Sequence, residues 1–174
     1  FRRKLLYGFM HNMKKIIILS ATLLALTFPV FAQKSDDKTA VLAVVQTLFD
    51  EMAAANAAGI LATGIPENQL ITIRKQRDGK VRVDSVNGEA FTKFFTKPGA
   101  IKEVMYAPKV DIDGDWAMVW GRYVFFVGEK ISHCGINQFN MVRTEAGWKI
   151  AGGASTIDPT ACTESEKAMK DSGK

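Results

Sequence analysis

His133 and Cys134 stand side by side in the stretch SHCGINQFNMVRTEAGWKI, residues 132–150. An imidazole next to a thiol is raw material for a nucleophile–base pair, for a zinc site, or for half a disulfide beside a wall histidine. The stretch reads as a strand, in which successive side chains leave on opposite faces. His133 and Cys134 are then poorly placed to act together. A multi-histidine metal centre is excluded, because the chain has two histidines and the other, His11, lies far upstream in the leader. Neither a metal nor a cofactor is expected.

The disulfide is the better reading of Cys134. The chain has one other cysteine, Cys162, and an even count in an exported chain favours a bridge. With a turn at Ala146–Gly147, Cys134 falls opposite about Ile157. Asp158–Pro159 can then reverse the chain and return Cys162 to it. The bridge would lock the tail onto the outer face of a sheet.

On the other face of the same strand lie His133, Gly135, Asn137, Phe139 and Met141. This set is read as inward because its alternates include the polar Gln138 and Asn140. On the preceding strand Val119, Gly121, Tyr123 and Phe125 fit the inside, with Trp120 and Arg122 outside. Tyr123, Phe125, His133, Asn137 and Phe139 would then line a mostly apolar pocket with a few polar groups, suited to an aromatic or heterocyclic molecule. His133 is read as a hydrogen-bonded wall residue, with a role as general acid/base the sharper alternative. No inward carboxylate stands out. Asp84 and Glu103 can face in without anything singling them out, and Asp111, Asp113, Asp115, Glu129 and Glu145 gather at hairpin ends. DIDGD, residues 111–115, is a hairpin turn and not an EF-hand loop, since the twelfth residue from Asp111 is Arg122.

The elements that must position these residues follow from periodicity. Val41, Val44, Val45, Leu48, Phe49 and Met52 recur at helical spacing, so residues 38–56 are an amphipathic helix, with Ser35–Asp37 as its capping start. AAGILATGI gives a short second helix. LITIRK and VRVDS flank Asp78–Gly79 as a hairpin. NGEAFTKFF is a short helix whose Phe91, Phe94 and Phe95 cap one end of the core. From Ile101 onward four strands follow in an antiparallel meander with turns at Asp113–Gly114, Gly128–Glu129 and Ala146–Gly147. Glycines 121, 135, 152 and 153 mark bends within them. Helices followed by a long curved antiparallel sheet make an α+β fold, a cone with room inside.

Ahead of this domain, Met13-Lys14-Lys15, the apolar run of residues 16–28 and the exit Val30-Phe31-Ala32 have the parts of a secretory signal peptide. The run is short for a membrane span, which needs about 20 residues. Residues 1–12 are read as upstream translation, 13–32 as signal peptide, 33–157 as the domain and 158–174 as a loose polar tail. Five of the 23 basic residues lie ahead of Gln33 and none of the 18 acids does, so the mature stretch carries 18 of each. The basic footprint of a nucleic-acid binder is gone, as is a polybasic membrane surface. The expected location is the periplasm or the medium.

The order helix, short helix, hairpin, helix, meander, ending in GWKI, resembles the nuclear transport factor 2-like superfamily, with its ketosteroid isomerase, scytalone dehydratase and SnoaL-type polyketide cyclases. LFDEMAAANAAGI, IDGDWAMVWGRYVFFV and SHCGINQFNMVRTEAGWKI are similar to exported bacterial members labelled lumazine-binding, over residues 39–157. The resemblance implies a small-ligand pocket and a homodimer through the outer sheet face that carries Trp120 and Arg122. Because the superfamily spans enzymes, binders and interaction modules, fold does not settle function. The reading favoured is an exported binder of a small, largely apolar molecule. A SnoaL-like isomerase, dehydratase or cyclase using His133, with Tyr123 or Asn137 polarising a carbonyl, is the alternative. A non-catalytic dimeric module is the third.

Overall fold

In the computed structural model, residues 29–76 and 78–168 are described, with side chains from residue 36 onward. The upstream segment 1–12 and most of the signal-peptide segment 13–32 lie outside them. The chain divides into two compact units, Phe1–Asp36 and Asp37–Lys174. No helix among the described residues is long and apolar enough to cross a membrane.

The first helix, α1, runs Pro29–Ala53. It therefore starts earlier than the capping signal at Ser35–Asp37 suggested, with a proline at its opening, where a missing N–H costs nothing. Asp37 instead pairs with Arg143 at 2.6 Å. The arginine beside it holds the Asp37 carboxyl below the usual carboxylate range. Val41, Val45, Leu48, Phe49 and Met52 of α1 are buried against the sheet residues Val119, Phe139, Met141, Trp148 and Ile150. That is the predicted apolar stripe, placed on the concave face.

A short helix α2 (Ala57–Ala62) follows, capped by the Asn56 side chain, which accepts from the Gly59 N–H. Next come β1 (Gly64–Lys75), β2 (Val81–Asn87) and a one-turn helix α3 (Gly88–Thr92) capped by Asn87. Then the meander runs β3 (Ile101–Asp113), β4 (Trp116–Val127), β5 (Lys130–Thr144) and β6 (Gly147–Ile157), and α4 (Glu164–Lys167) closes the described chain. The six strands form one sheet in the order β2-β1-β6-β5-β4-β3. All pairs are antiparallel except β1 with β6, which is parallel. The expected antiparallel meander is present, and the hairpin β1–β2 joins its far edge in the direction of β6.

Curvature comes from irregular pairing. Register shifts occur between Tyr106 and Lys109 on β3, between Phe125 and Phe126 on β4, and between Asn140 and Met141 on β5. Such bulges bend a strand and sharpen its twist. Two predicted bend glycines have a more specific cause. A Cβ on Gly135 would overlap the Thr156 carbonyl, and one on Gly153 would press on the Gln138 carbonyl at 2.5 Å. At both places a neighbouring strand's backbone takes the space a side chain would need.

The described part of the tail, residues 158–168, is docked on the sheet through the expected bridge. Cys134 and Cys162 form a disulfide across 28 residues, on the convex face, beside Val124 and Phe126. Cys134 pairs with Asp158, one residue from the predicted partner. Glu166 of α4 is fully buried and takes a two-pronged contact from Arg122, at 2.6 and 2.9 Å. Its carboxylate also accepts the Thr163 N–H while Thr163 Oγ1 accepts the Glu166 N–H, closing a capping box. Arg122 reaches further to the Ala161 carbonyl at 3.1 Å. The convex face at Arg122 is thus occupied by the chain's own tail. Trp120, the other residue of the expected interface, stays 39% exposed.

Candidate functional site

The concave face is built from residues that register places in transverse rows. Glu103 on β3 stands opposite Phe125 on β4, which stands opposite His133 on β5. In the neighbouring row Tyr123 stands opposite Gly135. Asn137 on β5 pairs with Ser155 on β6, Ser155 with Thr72 on β1, and Thr72 with Asp84 on β2. Between this wall and α1 lies an open cavity of about 670 Å³. Leu48, Phe49 and Met52 of the helix close one side, and Phe91, Phe94 and Phe95 stand at another. Phe91 and Phe95 meet edge to face at 4.9 Å and pack on the core. Phe94 is 67% exposed, so only two of the three predicted capping phenylalanines are core residues.

The structure brings Tyr123, Phe125, His133, Asn137 and Phe139 to the wall of this one cavity. Their chemical states differ from what their types suggest. His133 stacks on Phe125, ring centres 4.8 Å apart, and meets Tyr123 edge-on at 5.7 Å. Its hydrogen bond among the described residues joins Nδ1 to Ser132 Oγ at 3.1 Å. Burial, with the Arg74 positive charge adding to it, pulls the imidazole from 6.5 down to about 4. His133 is therefore neutral at ordinary pH, and among the described residues no carboxylate or tyrosine hydroxyl orients it. An imidazole without an orienting partner is a poor general base.

Tyr123 donates its hydroxyl to the Thr156 carbonyl at 2.8 Å. Burial raises the phenol well above its ordinary range, and the nearby Glu103 charge works the same way. Gly135, lacking a side chain, gives the Tyr123 ring its path toward β6. This hydroxyl is committed to the fold, which removes it as a polarising donor for a carbonyl.

The polar centre of the cavity is a residue that sequence alone did not select. Glu103 lies on the wall, and Asn137 Nδ2 donates to its Oε1 at 2.5 Å. Asn137 is itself buried. Burial pushes the Glu103 carboxyl from 4.5 up to about 7, while the Asn137 hydrogen bond pulls the other way. As a whole residue Glu103 keeps some exposure because it borders the cavity, but its carboxyl lies deep in the wall. Of the two acids that could face in, Asp84 and Glu103, both line the cavity, and Glu103 is the one set deep in its wall. The available signal was the pattern Ile101-x-Glu103-x-Met105, an acid between two apolar residues on one face of a strand. Asp84 also lines the cavity, with its carboxylate bound by Arg82 at 2.8 Å.

Among the described residues, Cys134, Cys162 and Glu166 form a cluster with the donor types of a metal site. Both sulfurs are consumed in the disulfide and the carboxylate is held by Arg122, so the cluster offers no thiolate.

No protein-family model and no curated protein sequence matches the chain. Solved structures do match its shape. An NTF2-like protein with a cystatin-like fold from Novosphingobium aromaticivorans shares 13% identity, with 86% of this chain and 93% of that one covered at a TM-score of 0.58. An NTF2-like protein of unknown function from Shewanella baltica shares 14% identity, covering 72% and 97% at a TM-score of 0.55. A candidate dehydratase of the NTF2-like family from Streptomyces avermitilis shares 14% identity, covering 72% and 98% at a TM-score of 0.56. Identities this low speak to architecture alone. With a six-stranded curved sheet around an N-terminal helix and these neighbours, the chain has the α+β nuclear transport factor 2-like, or cystatin-like, fold.

Proposed function

We propose that the protein is an exported small-molecule binder whose cone accepts a flat, largely apolar ligand. One observation carries this reading: the open cavity of about 670 Å³, with aromatic and aliphatic walls and a single deep polar pair, Glu103–Asn137. Binding sites of this kind measure about 300–1,000 Å³ and use few polar groups to orient a mostly apolar guest. The neutral, ring-stacked His133 supports binding over catalysis by that residue. Export rests on the leader pattern of residues 13–32 and on the disulfide, a bond typical of oxidising compartments.

Native mass spectrometry of protein isolated from its own host tests the binder. A co-purifying small molecule is expected, and it should vanish in Ser155→Trp, which fills the cavity from β6. Absence of a retained molecule, together with no uptake of the neutral probe N-phenyl-1-naphthylamine, overturns the reading. N-terminal sequencing tests export: a mature start at Gln33 is expected, and an uncleaved Met13 start refutes it.

A second reading has its own support. Glu103 titrates near neutrality inside an apolar cavity, the condition for a carboxyl to exchange protons with a bound substrate. Proton-transfer chemistry would then run through Glu103, with Asn137 holding it, and His133 would serve as wall. Solvent hydrogen exchange of a co-purified ligand's acidic C–H, abolished in Glu103→Gln, tests this. Exchange that persists in the variant rules it out. Pairing of subunits, if it occurs on the convex face, would use Trp116, Met118 and Trp120, which are 48%, 41% and 39% exposed along β4. Sedimentation of Trp120→Glu against the parent chain decides that point.

A further inference from the structure

The hairpin edge of the cavity carries a charge that no acid among the described residues pairs with. Leu70, Thr72 and Arg74 of β1 stand opposite Val86, Asp84 and Arg82 of β2. Directly opposed residues of an antiparallel pair share a face, so Arg74 and Arg82 point the same way, and both line the cavity. Like charges in this arrangement repel. Asp84 relieves one of them: Arg82 grips it through Nε at 2.9 Å and Nη2 at 2.8 Å. Arg74 has no hydrogen bond or ion pair among the described residues, although its field reaches His133 and Tyr123 across the cavity. The remaining wall does not compensate. His133 is neutral, and Glu103 is tied to Asn137 and mostly protonated below about pH 7. The cavity thus has an apolar, aromatic body, a hydrogen-bonding centre at Glu103–Asn137, and an excess positive charge at the β1–β2 edge.

We infer that the ligand is a planar ring system bearing an anionic group, a carboxylate, sulfonate or phosphate, held by Arg74. This rests on the binding reading above and names its ligand class. The guanidinium offers a planar fork of donors matched to an oxyanion. Arg74 is exposed at the cavity's mouth, where an entering anion can reach it. The ring system fills the space between α1 and the wall of Phe125 and His133, and the anion replaces the counter-charge that Arg74 lacks.

Two fluorescent probes separate the terms, since they share one ring skeleton and differ in charge. 8-Anilinonaphthalene-1-sulfonate carries the anion, and N-phenyl-1-naphthylamine lacks it. Each is titrated at pH 6 into the full chain, Arg74→Gln and Arg74→Lys. Only the signal lost in Ser155→Trp is counted as cavity binding. The parent chain is expected to prefer the sulfonate by about tenfold, the size of one charge-assisted contact. Arg74→Gln should erase that preference and leave the neutral probe unchanged, while Arg74→Lys keeps most of it. Equal affinity of the parent chain for both probes, or a preference that survives in Arg74→Gln, overturns the anion assignment and leaves cavity binding standing. If neither probe enters the parent chain, the binding reading falls with it.

Discussion

Glu103→Gln is the substitution that tests the reasoning at its centre. The folded chain raises the Glu103 carboxyl from 4.5 to about 7, and burial is the largest cause. A raised acid favours the protonated form in the native state. Its stabilising contribution is complete below pH 4.5 and is lost as the pH climbs through about 7. At roughly 1.4 kcal/mol per pH unit the full swing is at most about 3 kcal/mol. Water entering the open cavity lowers it, so about 2 kcal/mol is the working figure. Glutamine keeps the acceptor for Asn137 and does not ionise. The variant should match the parent at pH 4.5 and exceed it by about 2 kcal/mol at pH 8, an unusual gain from altering a cavity residue. The parent's own pH profile hides this, because His133 titrates with the opposite sign in the overlapping range. The difference between the two chains isolates Glu103. Urea unfolding at half-unit steps from pH 4.5 to 8 measures it. Parallel stability curves across that range would show that the carboxyl is not buried in the wall, and the polar centre of the cavity would be misplaced.

Other perturbations have definite expectations. His133 is depressed from 6.5 to about 4, so its own contribution to stability is lost as pH falls through that window, and the difference between the parent and His133→Asn reads it. Urea unfolding should show the stability of the parent relative to His133→Asn falling by about 1 kcal/mol, once the ring's partial exposure is discounted, between pH 6.5 and 4. Replacing both cysteines by serine opens a 28-residue loop and should cost about 3–4 kcal/mol of thermal stability, while a melting curve unchanged by reductant would contradict the bridge. Glu166→Ala strands Arg122 and removes the cap of α4, and should cost about 3 kcal/mol with faster proteolysis of residues 158–168. Gly135→Ala should fail to fold or melt far lower, since its Cβ meets the Thr156 carbonyl; an unaltered melting temperature would mean the two strands do not approach there.

The sequence by itself determined whatever depends on local periodicity and turn chemistry. The apolar stripe Val41–Met52, the hairpin at Asp78–Gly79 and the three meander turns could be read because side-chain direction repeats every 3.6 or 2 residues. Gly114 and Gly147, in the left-handed region at φ 57° and 93°, fall at two of those turns. The same alternation set His133 apart from Cys134 and placed Asn137 and Phe139 on one face. Cysteine parity and a reversing Asp158–Pro159 gave the bridge.

Tertiary structure decided the rest, because the remaining features depend on which strands become neighbours. The parallel seam of β1 with β6 brings Arg74 and Arg82 to the cavity's edge, and no spacing within either strand announces that. Glu103 and Asn137 are 34 residues apart and meet only because the sheet curls enough to join β3 and β5 across β4. Arg122 looked like a free face until α4 folded back over it with Glu166, 44 residues on. An isolated acid or arginine has an ordinary charge. Burial and pairing are properties of the assembled surface, and they set Glu103 near neutrality and left Arg74 without a counter-ion among the described residues.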